Sequence, residues 1–122
     1  EAAGIDSPAD LPGASFLPAA AGDANAPDAP EYVVCQARFV QGAAIEGEKP
    51  EAESRMIRTD GYKYMVFDRG DCREMLFDLQ NDPHETRNLA RNESFADILE
   101  QHRRLFREFA RRYGDSFPGV GA

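Results

Sequence analysis

Arg55-Met56-Ile57-Arg58-Thr59 and Tyr62-Lys63-Tyr64-Met65-Val66-Phe67 are two strand-forming runs separated by Asp60-Gly61 alone. Branched and aromatic side chains suit a pleated, half-buried surface. Asp-Gly tolerates the positive φ that both central positions of a type I′ turn require, so the segment predicts a tight antiparallel hairpin. In the second run Tyr62, Tyr64 and Val66 alternate with Lys63, Met65 and Phe67. Apart from Lys63, both faces are therefore apolar: one is expected to pack on a helix and the other to meet something else.

Glu74-Met75-Leu76-Phe77-Asp78-Leu79 predicts a third strand, joined to the hairpin by Asp68-Arg69-Gly70-Asp71 and stopped at Gln80-Asn81-Asp82-Pro83. Proline fixes its own φ, lacks an amide donor and disfavours the α conformation at Asp82, so the chain turns there. Ser94 reads as a helix N-cap with Asp97 three residues on. Phe95, Ile98, Leu99, His102, Leu105, Phe106, Phe109 and Tyr113 then recur at the spacing of one helix face, and Gly114 reads as the C-cap behind Arg111 and Arg112. Glu31 to Val40 predicts a further strand. The expected fold class is α+β, a four-stranded antiparallel sheet packed against one long C-terminal helix.

Charge divides the chain. Residues 1–53 hold ten acids against Arg38 and Lys49, whereas residues 54–122 hold twelve charges of each sign, so the net charge of -8 belongs to the first part. Pro8, Pro12, Pro18, Pro27 and Pro30, among glycines and alanines, give residues 1–30 the look of an extended connector. Gln41 to Glu53 reads as a long acidic loop. No apolar run is long enough to span a membrane. A start at Glu1-Ala2-Ala3-Gly4-Ile5-Asp6, without a signal-peptide pattern, reads as cut from something longer. Cys35, in an apolar strand, reads as a buried thiol; spacing neither assigns nor excludes a disulfide to Cys72.

Arg55-Met56-Ile57-Arg58-Thr59, Tyr62-Lys63-Tyr64, Leu76-Phe77-Asp78-Leu79, Asp82-Pro83-His84-Glu85 and Asn88-Leu89 follow one another in an order that resembles the C-terminal subdomain of the sulfatases. In that family an R-x-I-R-T strand, a K-Y strand, an L-Y-D-L strand, D-P-x-E and N-L recur. Gly4-Ile5, Pro8 and Leu11-Pro12-Gly13-Ala14-Ser15-Phe16-Leu17-Pro18 resemble the family's link out of its catalytic domain. Order and spacing carry the likeness, which covers nearly the whole chain.

The resemblance implies a parent that hydrolyses sulfate esters, with a related phosphonate or phosphodiester hydrolase of the alkaline-phosphatase superfamily as the alternative. It makes residues 1–30 a linker from an upstream catalytic domain and residues 31–122 the C-terminal subdomain. It implies a formylglycine made from Cys or Ser in a C/S-x-P-x-R motif, beside a calcium ion, in a family often periplasmic, secreted or lysosomal. Neither Cys35-Gln36-Ala37-Arg38 nor Cys72-Arg73-Glu74-Met75 fits that motif. Calcium and formylglycine are therefore expected in the parent, and the fragment alone is expected to be inactive, without a cofactor of its own.

A sulfate ester needs a nucleophile at sulfur, charge stabilisation on the non-bridging oxygens and an acid for the leaving alcohol; a hydrated aldehyde beside a divalent cation supplies the first two. This chain can only shape the pocket rim. Arg55, Arg58, Lys63 and His84 are the candidate contacts to an anionic sugar. Each has a plainer explanation: Arg58 and Lys63 can neutralise a neighbouring acid, and His84 can cap backbone groups. Arg55 stands first because it ends the acidic loop where a neighbouring domain can meet it.

Two other classes stand beside the sulfatase fragment. A stand-alone sugar-binding or protein-interaction module predicts a soluble monomer with its own ligand affinity. A nucleic-acid binder is disfavoured by the acidic balance, by an arginine cluster (Arg103, Arg104, Arg107, Arg111 and Arg112) that reads as a solvated helix face, and by the lack of an RNP-like aromatic pattern. The fragment reading predicts an apolar sheet face shaped for the catalytic domain, or dimerisation through that face.

Overall fold

β1 (Val33–Val40), β2 (Glu51–Arg58), β3 (Tyr62–Phe67) and β4 (Glu74–Asp78) pair in the order β1-β2-β3-β4, each antiparallel to its neighbour. This computed structural model describes residues 15–24, 30–40 and 51–118, with Gly4, Ala26 and Gly47. The chain forms two compact units, Glu1–Pro30 and Glu31–Ala122. Much of the expected connector lies outside the described residues. Its described part contains one helical turn, α1 (Leu17–Ala20), with Pro18 in the first turn, where a missing amide proton costs nothing.

The α+β expectation is met by the sheet and by an eighteen-residue helix, α2 (Ala96–Tyr113). Ile57, Tyr64, Val66 and Leu76 from one sheet face form a core with Leu99, Leu105 and Phe106 of α2 and with Leu89 and Phe117 from the flanking segments. His102 belongs to this core at 2% exposure. Its Nδ1 lies 2.8 Å from the Ile98 carbonyl, which can only accept, so in the neutral ring Nε2 takes the Thr59 hydroxyl proton at 3.2 Å. The helical stripe fades at its end, where Tyr113 is 49% exposed.

Several local expectations change. The Asp60-Gly61 turn is not type I′, because neither residue takes a positive φ. The Tyr62 amide donates to the Thr59 hydroxyl, while the Gly61 carbonyl accepts from Leu79 beyond β4, so the third strand helps to shape the turn. β2 starts at Glu51, so Glu51–Glu53, expected in a loop, are strand residues; Arg38 on β1 pairs with both Glu51 and Glu53. The helix is entered through a 3-10 turn, Glu93–Phe95, capped by Asn92 accepting from the Ser94 amide, which moves the cap two residues upstream of Ser94. Gly114 is the expected left-handed C-cap, with φ 65°. Cys35 and Cys72 are free, exposed thiols; Cys35, expected to be buried, is exposed because β1 is an edge strand and Cys35 points away from the helix.

Two charge clusters tie the helix and its exit to the sheet. Arg103 reaches Glu74 with two hydrogen bonds, at 2.8 and 2.6 Å, and the Tyr64 hydroxyl donates to the same carboxylate at 2.7 Å. Arg55 forms a two-bond pair with Asp115, at 2.7 and 2.9 Å, and lies 4.5 Å from the centre of the Phe117 ring. The Arg103 guanidinium holds Glu74 below the ordinary carboxylate range, and Arg55 does the same for Asp115. A depressed folded-state pKa adds stability that is complete above the unfolded-state value and lost as pH falls through the folded one. Stability measured by urea unfolding is therefore expected to be flat above about pH 5 and to fall below about pH 4. A decline that begins on the alkaline side of pH 5 would show that other groups dominate.

Candidate functional site

Side chains alternate across a strand, and cross-strand partners share a face. The register therefore lists the face turned away from α2. Cys35 pairs with Met56, Met56 with Met65, and Met65 with Met75. All three methionines of the chain and one of its two cysteines thus form one row across four strands. Val33, at 47% exposure, and Phe39, at 52%, flank the row on β1. Thioether side chains are flexible and polarisable, suited to an apolar partner of irregular shape.

An open cleft of about 350 Å³ lies at one end of this face, lined by Met56, Arg58, Lys63, Leu79, Pro83 and Glu85. The Arg58↔Lys63 pairing places its two cations side by side. Arg58 is exposed and has no ion-pair partner among the described residues. Lys63 pairs with Glu85 and sits 5.5 Å from the centre of the Phe77 ring, which is 8% exposed.

The Asp-Pro loop builds the other wall. Asp78 accepts from the Gln80 and Asn81 amides and from the Asn81 side chain, closing the turn after β4. Asp82 then accepts from the Thr86 hydroxyl and the Arg87 amide, while its carbonyl accepts from the Glu85 amide at 2.9 Å. These bonds hold Glu85 at φ 55°, the only positive φ at a non-glycine among the described residues. A left-handed residue with a Cβ costs about 1–2 kcal/mol, so the loop over-determines this conformation. Asn88 and Leu89 close the outer edge of β4: Asn88 bonds Leu76 and Glu74, and Leu89 bonds Leu76.

Two of the four candidate contacts thus meet at one end of the sheet, and a third, His84, is in the loop beside them. Arg58 and Lys63 line the cleft, and exposed His84 lies between the lining residues Pro83 and Glu85. Arg55 does not join them. It lies inside β2 on the helix face, 9% exposed, with its guanidinium committed to Asp115. Its expected place at the end of a loop is corrected by the earlier start of β2. Glu85 was missed as a site residue, although a D-P-x-E segment beside a strand lysine offered a signal; the sulfur row had none until the register was known.

The family model described as "N-sulphoglucosamine sulphohydrolase, C-terminal" matches residues 1–112. The chain belongs to this sulfatase family. A curated relative, the Delta 4,5-hexuronate-2-O-sulfatase of Bacteroides thetaiotaomicron, is 32% identical over 118 residues, covering 97% of this chain and 23% of the relative. A solved 2-O GAG sulfatase superposes with TM-score 0.76 at 30% identity, over 94% of this chain and 23% of that one. A second solved structure, a complex with its substrate D-glucosamine-2-N,6-O-disulfate, shares the fold with TM-score 0.69 at 24% identity, over 95% of this chain and 23% of that one. The chain thus spans about a quarter of the length of these relatives.

The sulfatase cofactors find no fit in these residues. Among the described residues no group of three or more His, Cys, Asp or Glu could hold a metal ion, and neither cysteine stands in a C/S-x-P-x-R sequence. Nor is any helix among the described residues long and apolar enough to cross a membrane.

Proposed function

We propose that this chain is the non-catalytic C-terminal subdomain of a sulfate-ester hydrolase. Residues 1–30 are its linker. The sulfur-rich sheet face docks on the upstream catalytic domain, and the Arg58 cleft forms part of the substrate rim. The observation that carries this reading is positional: the apolar face and the cationic cleft share one side of the sheet, so a domain seated on the first has its edge beside the second. Formylglycine and calcium belong to that upstream domain in this reading.

Arg58 is the strongest contact within the rim, since it is the lining cation without an acidic partner among the described residues. A planar guanidinium offers paired donors to sulfate or carboxylate. Lys63 and His84 stand behind it. Arg55, the contact ranked first from the sequence, we place in the scaffold because its donors are already spent.

A hydrogen bond to a charged group contributes about 1.5–3 kcal/mol, so Arg58→Ala in the parent enzyme is expected to raise KM for a sulfated sugar by about 10- to 100-fold with a small change in kcat. A matching KM in the variant would remove the cleft from the substrate path. Self-association of the isolated chain through the same face is the competing occupant, and it would show as a dimer in sedimentation.

A further inference from the structure

We propose that Glu85 is a specificity-determining residue, which limits the cleft to one anionic group of the sugar beyond the ester being cleaved. The inference rests on the rim reading above and deepens it. The cleft is lined by two cations, Arg58 and Lys63, and one anion, Glu85. Glu85 pairs with Lys63, which leaves Arg58 as the uncompensated charge. One carboxylate or one sulfate therefore finds a partner. A second anionic group must approach the Glu85 carboxylate and compete with it for Lys63.

The backbone that carries that carboxylate is fixed, and its ion pair with Lys63 directs the side chain. Glu85 is held at φ 55° by its own amide bonded to the Asp82 carbonyl at 2.9 Å. The Asp82 carboxylate then fastens the following residues through the Thr86 hydroxyl at 3.1 Å and the Arg87 amide at 2.9 Å. Pro83 restricts the backbone on the other side. With its Cα held in place, the carboxylate can leave an incoming anion only by giving up its pair with Lys63. It acts as an internal stand-in for the second acid and selects sugars that carry one anionic group besides the scissile ester over those that carry two or more.

The test compares a monosulfated with a disulfated glycosaminoglycan disaccharide in the parent enzyme. Glu85→Gln is expected to shift the kcat/KM ratio toward the disulfated substrate by about tenfold, the size of a unit-charge effect at a partly solvated site. The shift should fade in about 1 M salt, where the screening length is about 3 Å. Lys63→Gln combined with Glu85→Gln restores the original charge count and should restore the original preference, which separates charge from loop damage. An unchanged ratio in Glu85→Gln, while Arg58→Ala still raises KM, would overturn this role and leave the rim reading intact. If Arg58→Ala also changes nothing, the cleft lies off the substrate path and both proposals fall.

Discussion

Arg55→Ala is expected to destabilise the chain by about 3–5 kcal/mol, the cost of leaving one partner of a buried ion pair behind. The Asp115 side chain is 6% exposed and the Arg55 side chain 10%, so water reaches neither well enough to replace the other. Asp115 also accepts from the Phe117 amide and from Gln36, and these donors alone cannot balance its charge. Phe117 loses the cation above its ring and part of its hold on Phe106, which it meets edge-on at 5.9 Å. Replacing both Arg55 and Asp115 with apolar residues of similar size should recover much of the loss. Urea unfolding of the two variants checks the prediction. If Arg55→Ala keeps wild-type stability and instead raises only KM in the parent, Arg55 is a substrate contact after all.

Met65→Glu is expected to have the largest effect on the whole enzyme. Met65 sits at the centre of the sulfur row, between Met56 and Met75, and is half-buried. In the isolated chain a carboxylate at this position can still reach water, and the expected loss is within about 1 kcal/mol. Seated against a catalytic domain, the same carboxylate becomes an unpaired buried charge costing several kcal/mol. At about 1.4 kcal/mol per tenfold, activity of the parent should fall by about 100-fold or more, with domain separation visible by limited proteolysis. Equal activity in the variant would show that this face meets no partner, and conversion of a dimeric chain to a monomer would assign the face to a second copy.

Much of the scaffold was legible because its signals are local. The alternation of Tyr62, Tyr64 and Val66 located β3, and the apolar stripe with Gly114 located α2. The acid-rich start of β2 escaped because Glu51 and Glu53 are held in the ladder with β1, opposite Val40 and Arg38, a long-range pairing that local strand preference does not reveal. The Asp-Gly turn departs from its usual form because Thr59 and Leu79 supply the bonds that shape it. Pairing Arg55 with Asp115, sixty residues away, needed the path of the chain after α2. The cleft was half legible: Arg58, Lys63 and His84 were visible as charges, whereas the role of Glu85 depends on a left-handed backbone that no propensity announces.

The most direct test is hydrolysis of an aryl sulfate by the purified 122-residue chain and, in parallel, by the longer parent. Turnover by the parent and none by the chain is the predicted result. Sulfate release by the chain alone would contradict the account.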